Sequence, residues 1–173
     1  MEVMPHPLVV ERMRKIDIAA VMEIESKCYP RPWQENAYYT ELNNPSATYL
    51  VGRSGEKVEG FAGMWVVMDE AHLTTLAVDP LFRNKRVGEK LLNELMAAAV
   101  NIGARRATLE VRESNGPARR LYAKYGFRDA AIRRNYYTDN QENAIVMWAD
   151  DLRDPKYALK LYDMRVMLYR ETV

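Results

Sequence analysis

A strand, a basic loop, a helix and a second strand follow one another in the middle of the chain, and this order restricts the fold more than any other feature. Residues 72–78 predict a strand that Asp79 and Pro80 end. After the loop, apolar residues recur at helical spacing until Gly103; they are Val87, Leu91, Leu92, Leu95, Met96 and Ala99. Residues 107–111 predict the next strand. A helix that joins two strands of one sheet makes a crossover connection, so we expect at least one parallel pair.

Two helices and an antiparallel meander are predicted before this unit. In chain order, the pattern indicates a short strand at residues 8–10, helices over 17–28 and 33–42, and strands over 48–53 and 58–67. Pro30 and Pro32 separate the two helices. The turn residues Ser54, Gly55 and Glu56 separate the last two strands, which together with residues 72–78 form the meander.

The C-terminal part predicts a short helix, a hairpin and a last helix. Ser114 or Asn115 caps the short helix and Gly126 ends it. Residues 127–135 and 144–148 indicate the hairpin. A helical pattern that follows Asp154 and Pro155 aligns Tyr157, Leu161, Met164 and Leu168, and this face packs on the domain or on a partner. We therefore predict an α/β (α+β) fold: one domain over residues 1–150, with a mixed central sheet flanked by helices, and a C-terminal helical extension over 151–173.

Composition narrows the classes of protein to which the chain can belong. With 173 residues and 48% hydrophobic content, it can form one well-packed core. The net charge of +1 gives no reason to expect nucleic acid or a membrane as a partner, and we expect a monomer or a weak homodimer. The single cysteine, Cys28, excludes an internal disulfide framework and fits a reducing compartment. His6 and His72 are too isolated to predict a metal site.

Targeting segments are not expected either. Residues 1–10 are too short for an apolar signal core, and Pro5 and Pro7 interrupt them. No segment approaches the roughly 20 consecutive apolar residues of a membrane-spanning helix. We expect a cytoplasmic protein.

The loop before the central helix predicts an anion site. The first N–H groups of a helix lack partners and lie at the positive end of the helix dipole, which suits a pyrophosphate. Arg83, Lys85 and Arg86 add charge to the loop. Taken alone, a basic loop is equally well explained as a solvated surface.

The surrounding residues resemble the GNAT superfamily of N-acetyltransferases over about residues 8–148. In that family, the phosphate loop reads Gln/Arg-x-x-Gly-x-Gly/Ala after a strand that ends in a Val-x-Pro-like segment. This chain has Leu76-Ala77-Val78-Asp79-Pro80 and then Arg83-Asn84-Lys85-Arg86-Val87-Gly88. Arg86 replaces the first glycine, which can adopt positive φ and let the backbone approach a phosphate. We expect an ordinary backbone at Arg86 that accommodates a side chain; the alternative is weakened cofactor binding.

Several blocks are similar to the RimI-like branch, the bacterial ribosomal-protein-alanine N-acetyltransferases. They are Asp69-Glu70-Ala71, Leu109-Glu110-Val111-Arg112, Ser114-Asn115, Leu121-Tyr122-x-x-x-Gly126-Phe127 and Arg133-Arg134-Asn135-Tyr136-Tyr137. This resemblance implies transfer of an acetyl group from acetyl-CoA, without a metal, to the N-terminal α-amino group of a protein. The expected acceptor is a ribosomal protein that begins with Ala or Ser. A small-amine or lysine acetyltransferase and a non-catalytic acyl-CoA-binding module remain as alternatives.

The resemblance also implies roles for individual residues. Glu110 becomes the general base, acting through a water, and Tyr122 the general acid; the alternatives are a salt-bridged strand residue and a core residue. The implied cofactor contacts are Leu76, Ala77, Val78, Arg83, Asn84, Lys85, Arg86, Val87, Gly88, Glu89, Asn115 and Tyr122. Among them, backbone N–H groups of residues 76–78 would bind the thioester oxygen if their strand parts from its parallel neighbour near Leu109.

The acceptor is expected at the aromatic edge formed by Trp33, Tyr136 and Tyr137, although aromatic residues there are more often part of the core. Asp69 and Glu70 would attract the ammonium group of the acceptor. Cys28 is interpreted as buried filler rather than as a nucleophile.

Overall fold

A computed structural model describes residues 6–170, and within this range the chain forms seven strands and five α-helices. The elements are β1 Leu8–Arg12, α1 Ile18–Cys28, α2 Glu35–Leu42, β2 Ala47–Ser54, β3 Lys57–Val67, β4 Glu70–Val78, α3 Val87–Ile102, β5 Arg106–Arg112, α4 Gly116–Lys124, β6 Arg128–Arg133, β7 Ala144–Ala149 and α5 Pro155–Arg170. Residues 1–5 and 171–173 lie outside the described range. The expectation that residues 1–10 form no signal core therefore falls partly outside it.

One mixed sheet organises the molecule, as predicted. The strand order is β1-β2-β3-β4-β5-β7-β6, and β4 and β5 form a parallel pair while the other neighbours are antiparallel. The crossover between the parallel strands runs through α3, which confirms the expectation from the strand-loop-helix-strand order. No helix of the described residues is long and apolar enough to span a membrane.

Element boundaries differ from the sequence pattern in two places near the site. The second helix begins at Glu35 rather than at Trp33, because the backbone N–H of Trp33 donates to the carboxylate of Glu25 and does not enter the helix. β4 begins at Glu70, two residues earlier than predicted, directly after a turn in which Met68 takes a positive φ of 56°.

The sheet separates two apolar cores. The larger core lies under α3, α4 and α5 and includes Leu91, Leu95 and Tyr125. The smaller core lies under α1 and α2 and includes Tyr38 and Phe61. Because side chains alternate along a strand, β2, β3 and β4 each supply residues to both cores, whereas the buried residues of β5 all lie in the larger one.

A β-bulge at Thr74 changes which residues of β4 face each core. The register with β3 pairs Leu73 with Met64 and Thr75 with Gly63, so Thr74 has no opposite residue. Before the bulge, Leu73 packs in the larger core; after it, Leu76 packs against that core and Ala77 belongs to the smaller one. One extra residue therefore reverses the alternation in the second half of β4.

The parallel strands part just before this bulge. Paired positions run from Glu70 opposite Arg106 to His72 opposite Thr108 and end there. Beyond this point β4 remains paired with β3, and β5 remains paired with β7 through Arg112. The separation leaves a slot between the second halves of two neighbouring strands.

The C-terminal helix packs on the domain. Leu161 and Leu168 on the predicted face of α5 are buried. The Nδ2 of Asn93 on α3 donates to the carbonyl of Leu161 at 3.1 Å, and the Tyr157 hydroxyl donates to the carbonyl of Tyr125 at 2.8 Å. These contacts join α5 to α3 and to the C-terminal end of α4.

We expect Gly63→Ala to lower the free energy of unfolding by about 1–3 kcal/mol, because an added Cβ overlaps the ring of Tyr49. That ring is 4% exposed, and its hydroxyl is 3.2 Å from the Thr74 hydroxyl at the bulge. Gly52→Ala is the control, since its Cβ meets nothing closer than 3.6 Å. Urea denaturation of both variants tests this, and equal stability of the two would contradict it.

Candidate active site

Two backbone N–H groups of β4 face the slot. The N–H of Asp79 donates to the carbonyl of Glu59 on β3 at 2.8 Å. Because direction alternates along a strand, the N–H of Ala77 also points toward β3, while those of Leu76 and Val78 point toward the slot. Of the three residues predicted to bind the thioester oxygen, Leu76 and Val78 direct their N–H groups toward the slot, whereas the N–H of Ala77 points toward β3.

Side chains at the C-terminal end of α1 and directly after it bind the backbone of β4 that borders the slot. The Tyr29 hydroxyl donates to the carbonyl of Leu76 at 3.1 Å. The Cys28 thiol donates to the carbonyl of Val78 at 3.4 Å, and burial raises the pKa of this thiol although Arg83 opposes the shift. Cys28 is thus a partly exposed contact to β4.

Arg83 lies against the end of β4. Its Nε is 3.4 Å from the carbonyl of Val78 and its Nη2 is 3.5 Å from the Cys28 sulfur. The side chain is exposed and sits where the slot meets the basic loop. From this position it can reach a phosphate by rotating about its own side-chain bonds.

The backbone of the basic loop is left-handed at two non-glycine residues. Asn84 and Arg86 both have φ of 62°. The expectation of an ordinary backbone at Arg86 is therefore wrong: arginine takes the conformation that the family's glycine takes readily. Arg86 is the cap residue of α3, a position that is usually extended, so the left-handed backbone belongs to the path of this loop and is not required by the helix start.

The first turn of α3 offers N–H donors at the end of this loop. The cap residue contributes no side-chain hydrogen bond to the N–H groups of Val87, Gly88 and Glu89. The Val87 side chain is 2% exposed in the core, and the Glu89 carboxylate is bound by Lys124 at 2.5 Å, so both can contribute only backbone to an anion. Left-handed backbone followed by the uncapped N–H groups of a helix is an arrangement that suits anion binding. The basic loop and the first turn of α3 have this arrangement.

Two further contacts set the shape of the loop. Asp79 is 1% exposed; the N–H of Leu81 and the ammonium of Lys27, at 3.0 Å, hold its pKa below the ordinary value. The Lys85 ammonium lies 5.2 Å from the centre of the Phe82 ring. The loop is thus tied to α1, and Lys85 remains on the surface beside the predicted phosphate position.

Glu110 lies on β5 at the point where the strands have parted. Its Oε2 is 2.7 Å from His72 Nε2, and its Oε1 is 3.6 Å from Arg133. The hydrogen bond from His72 holds the pKa of Glu110 below its ordinary value, while burial opposes this shift. The Glu110 side chain is 13% exposed and that of His72 is 40% exposed, so the imidazole connects the carboxylate to solvent.

Tyr122 lies on α4, and Asn115 is the cap residue that precedes this helix. Burial raises the pKa of Tyr122, and the phenols of Tyr29 and Tyr137 add to this shift. The Tyr122 ring packs edge-on against that of Phe127, with 5.9 Å between the ring centres. Asn115 caps α4, with its Oδ1 accepting from the N–H of Ala118 at 3.2 Å.

The aromatic edge is divided between core and surface. Trp33 packs on the buried Tyr38 at 5.5 Å and belongs partly to the smaller core. Tyr136 is 43% exposed, and its ring contacts that of Tyr137 at 5.2 Å. Burial raises the pKa of Tyr137 to about 12, with the Arg112 guanidinium 4.0 Å from its ring centre.

Asp69 and Glu70 do not offer free carboxylates to an acceptor. Asp69 pairs with Arg105 at 2.9 Å and Glu70 with Arg106 at 3.0 Å. Glu110 is four residues beyond Arg106, about 13 Å along β5 at the usual rise per residue. The arrangement gives no support to their predicted role with the acceptor ammonium, because arginines already neutralise both.

Three residues near the site were not predicted to act there: His72, Arg133 and Tyr29. Only His72 had a sequence signal, since it alternates with Ala71 and Leu73 on the face of β4 that Glu110 shares on β5. Among the described residues, no group of three or more His, Cys, Asp or Glu could hold a metal ion.

The left-handed backbone at Arg86 predicts a stability difference between two variants. Both Arg86→Ala and Arg86→Gly remove the guanidinium, but only alanine keeps a Cβ at φ of 62°. We expect Arg86→Gly to be more stable than Arg86→Ala by about 1 kcal/mol. Thermal and urea unfolding of the pair measure this directly, and equal or reversed stabilities would show that the loop is not left-handed there.

Comparison with known proteins agrees with this geometry. The family model of the acetyltransferase (GNAT) family matches residues 18–127. A Bacillus subtilis protein, provisionally named a ribosomal protein bS18-alanine N-acetyltransferase, is 44% identical over 140 residues, which are 80% of this chain and 93% of that protein. The Escherichia coli ribosomal protein bS18-alanine N-acetyltransferase is 36% identical over 140 residues, 80% of this chain and 94% of that one.

Solved structures show the same fold. The crystal structure of the Escherichia coli ribosomal-protein-S18-alanine N-acetyltransferase has a TM-score of 0.77 at 33% identity, covering 84% of this chain and 94% of that chain. Arabidopsis thaliana NAA60, solved with acetyl-CoA, has a TM-score of 0.74 at 17% identity over 83% of this chain and 98% of that chain. The chain belongs to the GNAT acetyltransferase family and is an N-acetyltransferase that resembles the ribosomal-protein-alanine branch.

Proposed function

We propose that the protein transfers the acetyl group of acetyl-CoA to the N-terminal α-amino group of a protein, a ribosomal protein that begins with Ala or Ser. One observation supports the proposal: Glu110, bonded to His72, lies on β5 beyond the last position at which β5 pairs with β4, so its carboxylate is at the slot that Leu76 and Val78 border. The named activity of the Escherichia coli relative supports the choice of acceptor.

Glu110 receives the proton of the acceptor amine. Its lowered pKa keeps the carboxylate ionised at neutral pH, and its position next to the 40% exposed His72 gives the proton a path to solvent. An ionised carboxylate only accepts hydrogen bonds, so His72 donates through Nε2. Such general base assistance is typically worth about 10²–10⁴-fold in rate.

The acceptor is more easily an N-terminus than a lysine. The lowered pKa makes Glu110 a weak base. An α-amino group has a pKa of about 7.7–8.0 against about 10.4 for lysine, so its neutral form is more accessible by roughly 3–4 kcal/mol at neutral pH. A weak base on the acceptor side of the slot therefore suits an α-amine.

Tyr122 donates a proton to the departing sulfur. Burial raises its pKa, so the phenol stays protonated until negative charge develops beside it. The same burial disfavours a thiolate in the slot, which keeps proton transfer between the two groups feasible. The N–H groups of Leu76 and Val78 stabilise the charge on the thioester oxygen.

The acceptor assay distinguishes three functions. The protein, acetyl-CoA and peptides that begin with Ala or Ser are incubated, and mass spectrometry detects an N-terminal acetyl group. Acetylation of free polyamines or lysine side chains without N-terminal acetylation would favour a small-amine or lysine acetyltransferase. Tight binding of acetyl-CoA with no transfer to any amine would favour a non-catalytic binding module.

Glu110→Gln should lower kcat by at least about tenfold, because the amide cannot accept the amine proton while it still accepts the His72 hydrogen bond. The Kd of acetyl-CoA should stay within about threefold. Glu113→Gln is the matched control, since Glu113 lies three residues further on and its carboxylate binds Asn143. Steady-state kinetics test the pair; equal kcat for Glu110→Gln and the control removes Glu110 as the base.

Tyr122→Phe should also lower kcat by at least about tenfold with unchanged acetyl-CoA affinity, because phenylalanine fills the same space without a proton to donate. Tyr125→Phe provides the comparison: Tyr125 is fully buried three residues later, and its hydroxyl contacts Glu89 at 3.4 Å. If both variants lose the same activity, the effect of Tyr122 is one of packing.

A further inference from the structure

Glu25 is a buried carboxylate between α1 and α2. It is 3% exposed. Its Oε1 accepts from the backbone N–H of Trp33 at 3.1 Å, and its Oε2 accepts from the Tyr38 hydroxyl at 2.7 Å. Both oxygens are therefore bonded to neutral groups at the end of the segment that joins the two helices.

This joining segment, residues 29–34, which we name the α1–α2 loop, begins at the slot. The N–H of Tyr29 donates to the Glu25 carbonyl at 3.0 Å, and the Tyr29 hydroxyl lies 3.3 Å from the Thr75 hydroxyl and donates to the Leu76 carbonyl at 3.1 Å. The phenol of Tyr29 also raises the pKa of Tyr122. One end of the loop is thus fixed beside the proposed acid.

The other end of the loop depends on Glu25. Pro30 and Pro32 have no N–H, so the backbone of residues 30–33 can donate only from Arg31 and Trp33. The Trp33 donor is bound by Glu25, and the Trp33 ring packs on Tyr38 at 5.5 Å. Tyr38 is 1% exposed and anchors this pair in the smaller core.

Burying a carboxylate costs free energy, which hydrogen bonds offset only in part. A buried carboxylate is therefore expected to make bonds that an apolar residue cannot make. Burial raises the pKa of Glu25, while the bonds from Trp33 and Tyr38 oppose that shift. A leucine at this position would fill the space and leave both donors without an acceptor. What the carboxylate adds is the fixed position of the Trp33 backbone, and with it the shape of the loop.

We propose that Glu25 is a positioning residue that sets the α1–α2 loop as the acceptor-side wall of the slot, and so controls binding of the acceptor peptide rather than of acetyl-CoA. This inference rests on the proposed function. The loop packs with the smaller core on one face of the sheet through Tyr29 and Trp33, whereas α3, whose first turn supplies the proposed phosphate donors, packs with the larger core on the other face. A loosened loop therefore weakens acceptor binding and leaves the phosphate site unchanged.

Two substitutions separate hydrogen bonding from packing. Glu25→Gln keeps an oxygen for the Trp33 N–H, and Glu25→Leu removes both acceptors. We expect Glu25→Leu to raise the KM for an Ala-initiated peptide at least tenfold, with the KM for acetyl-CoA within twofold and kcat within threefold. Glu25→Gln should restore the peptide KM to within threefold of the wild type.

Val21→Ala is the control for general loss of stability. Val21 is fully buried one turn earlier on α1, and its truncation leaves the Trp33 bond intact. It should leave the peptide KM within twofold. The inference is overturned if Glu25→Leu leaves the peptide KM unchanged, if it raises both KM values together, or if Val21→Ala raises the peptide KM as much.

Hydrogen exchange gives a readout that does not require turnover. The Trp33 amide should exchange at least tenfold faster in Glu25→Leu than in the wild type, and Val21→Ala should leave this ratio near one. Unchanged exchange in Glu25→Leu overturns the anchoring role. If the wild type acetylates no peptide, the proposed function fails, while the exchange measurement still decides whether Glu25 fixes the loop.

Discussion

Backbone groups on the second half of β4 need hydrogen-bond partners that β5 does not supply. The shape of the site depends on which groups serve as those partners. Buried N–H and C=O groups are rarely left unpaired in proteins. Tyr29 serves the carbonyl of Leu76, and Cys28 and Arg83 serve that of Val78. The N–H groups of Leu76 and Val78 point into the same gap, where the proposed function uses them. Side chains from the end of α1, the α1–α2 loop and the basic loop thus satisfy carbonyls that pairing with β5 would otherwise satisfy.

The carboxylates of Glu110, Asp79 and Glu25 lie near this gap, and each has different hydrogen-bond partners. His72 and Arg133 keep Glu110 ionised. Asp79 is ionised too, because the N–H of Leu81 and the ammonium of Lys27 lower its pKa at the start of the phosphate loop. Glu25 bonds only neutral donors, and burial raises its pKa. The Glu110 side chain is 13% exposed, against 1% for Asp79 and 3% for Glu25, and this difference suits the proton exchange proposed for Glu110.

The sequence pattern was sufficient for the order of elements, the parallel pair and the apolar face of α5, because hydrophobic periodicity and turn residues report directly on burial; whether that face packs on the domain or on a partner stayed open until the structure. It could not reveal the bulge at Thr74, whose effect is a change of register between strands; two consecutive threonines in an alternating run were its only trace. The arginine in place of the family's glycine led to the wrong expectation of an ordinary backbone at Arg86, because a side chain disfavours positive φ. His72 lies 38 residues from Glu110 in the chain, and Trp33 is separated from Glu25 by a loop whose conformation the pattern does not specify, so neither contact could be predicted.

The left-handed residues Asn84 and Arg86 also affect the thermodynamics of ligand capture. A non-glycine residue in this region carries a conformational penalty of the order of 1–3 kcal/mol and persists only where the surrounding fold holds it. The cost of shaping the loop is then included in folding rather than in association. A loop shaped in this way would lose little conformational freedom on binding an anion, so the affinity for an anion there would reflect electrostatics and hydrogen bonding with little offset from ordering the chain.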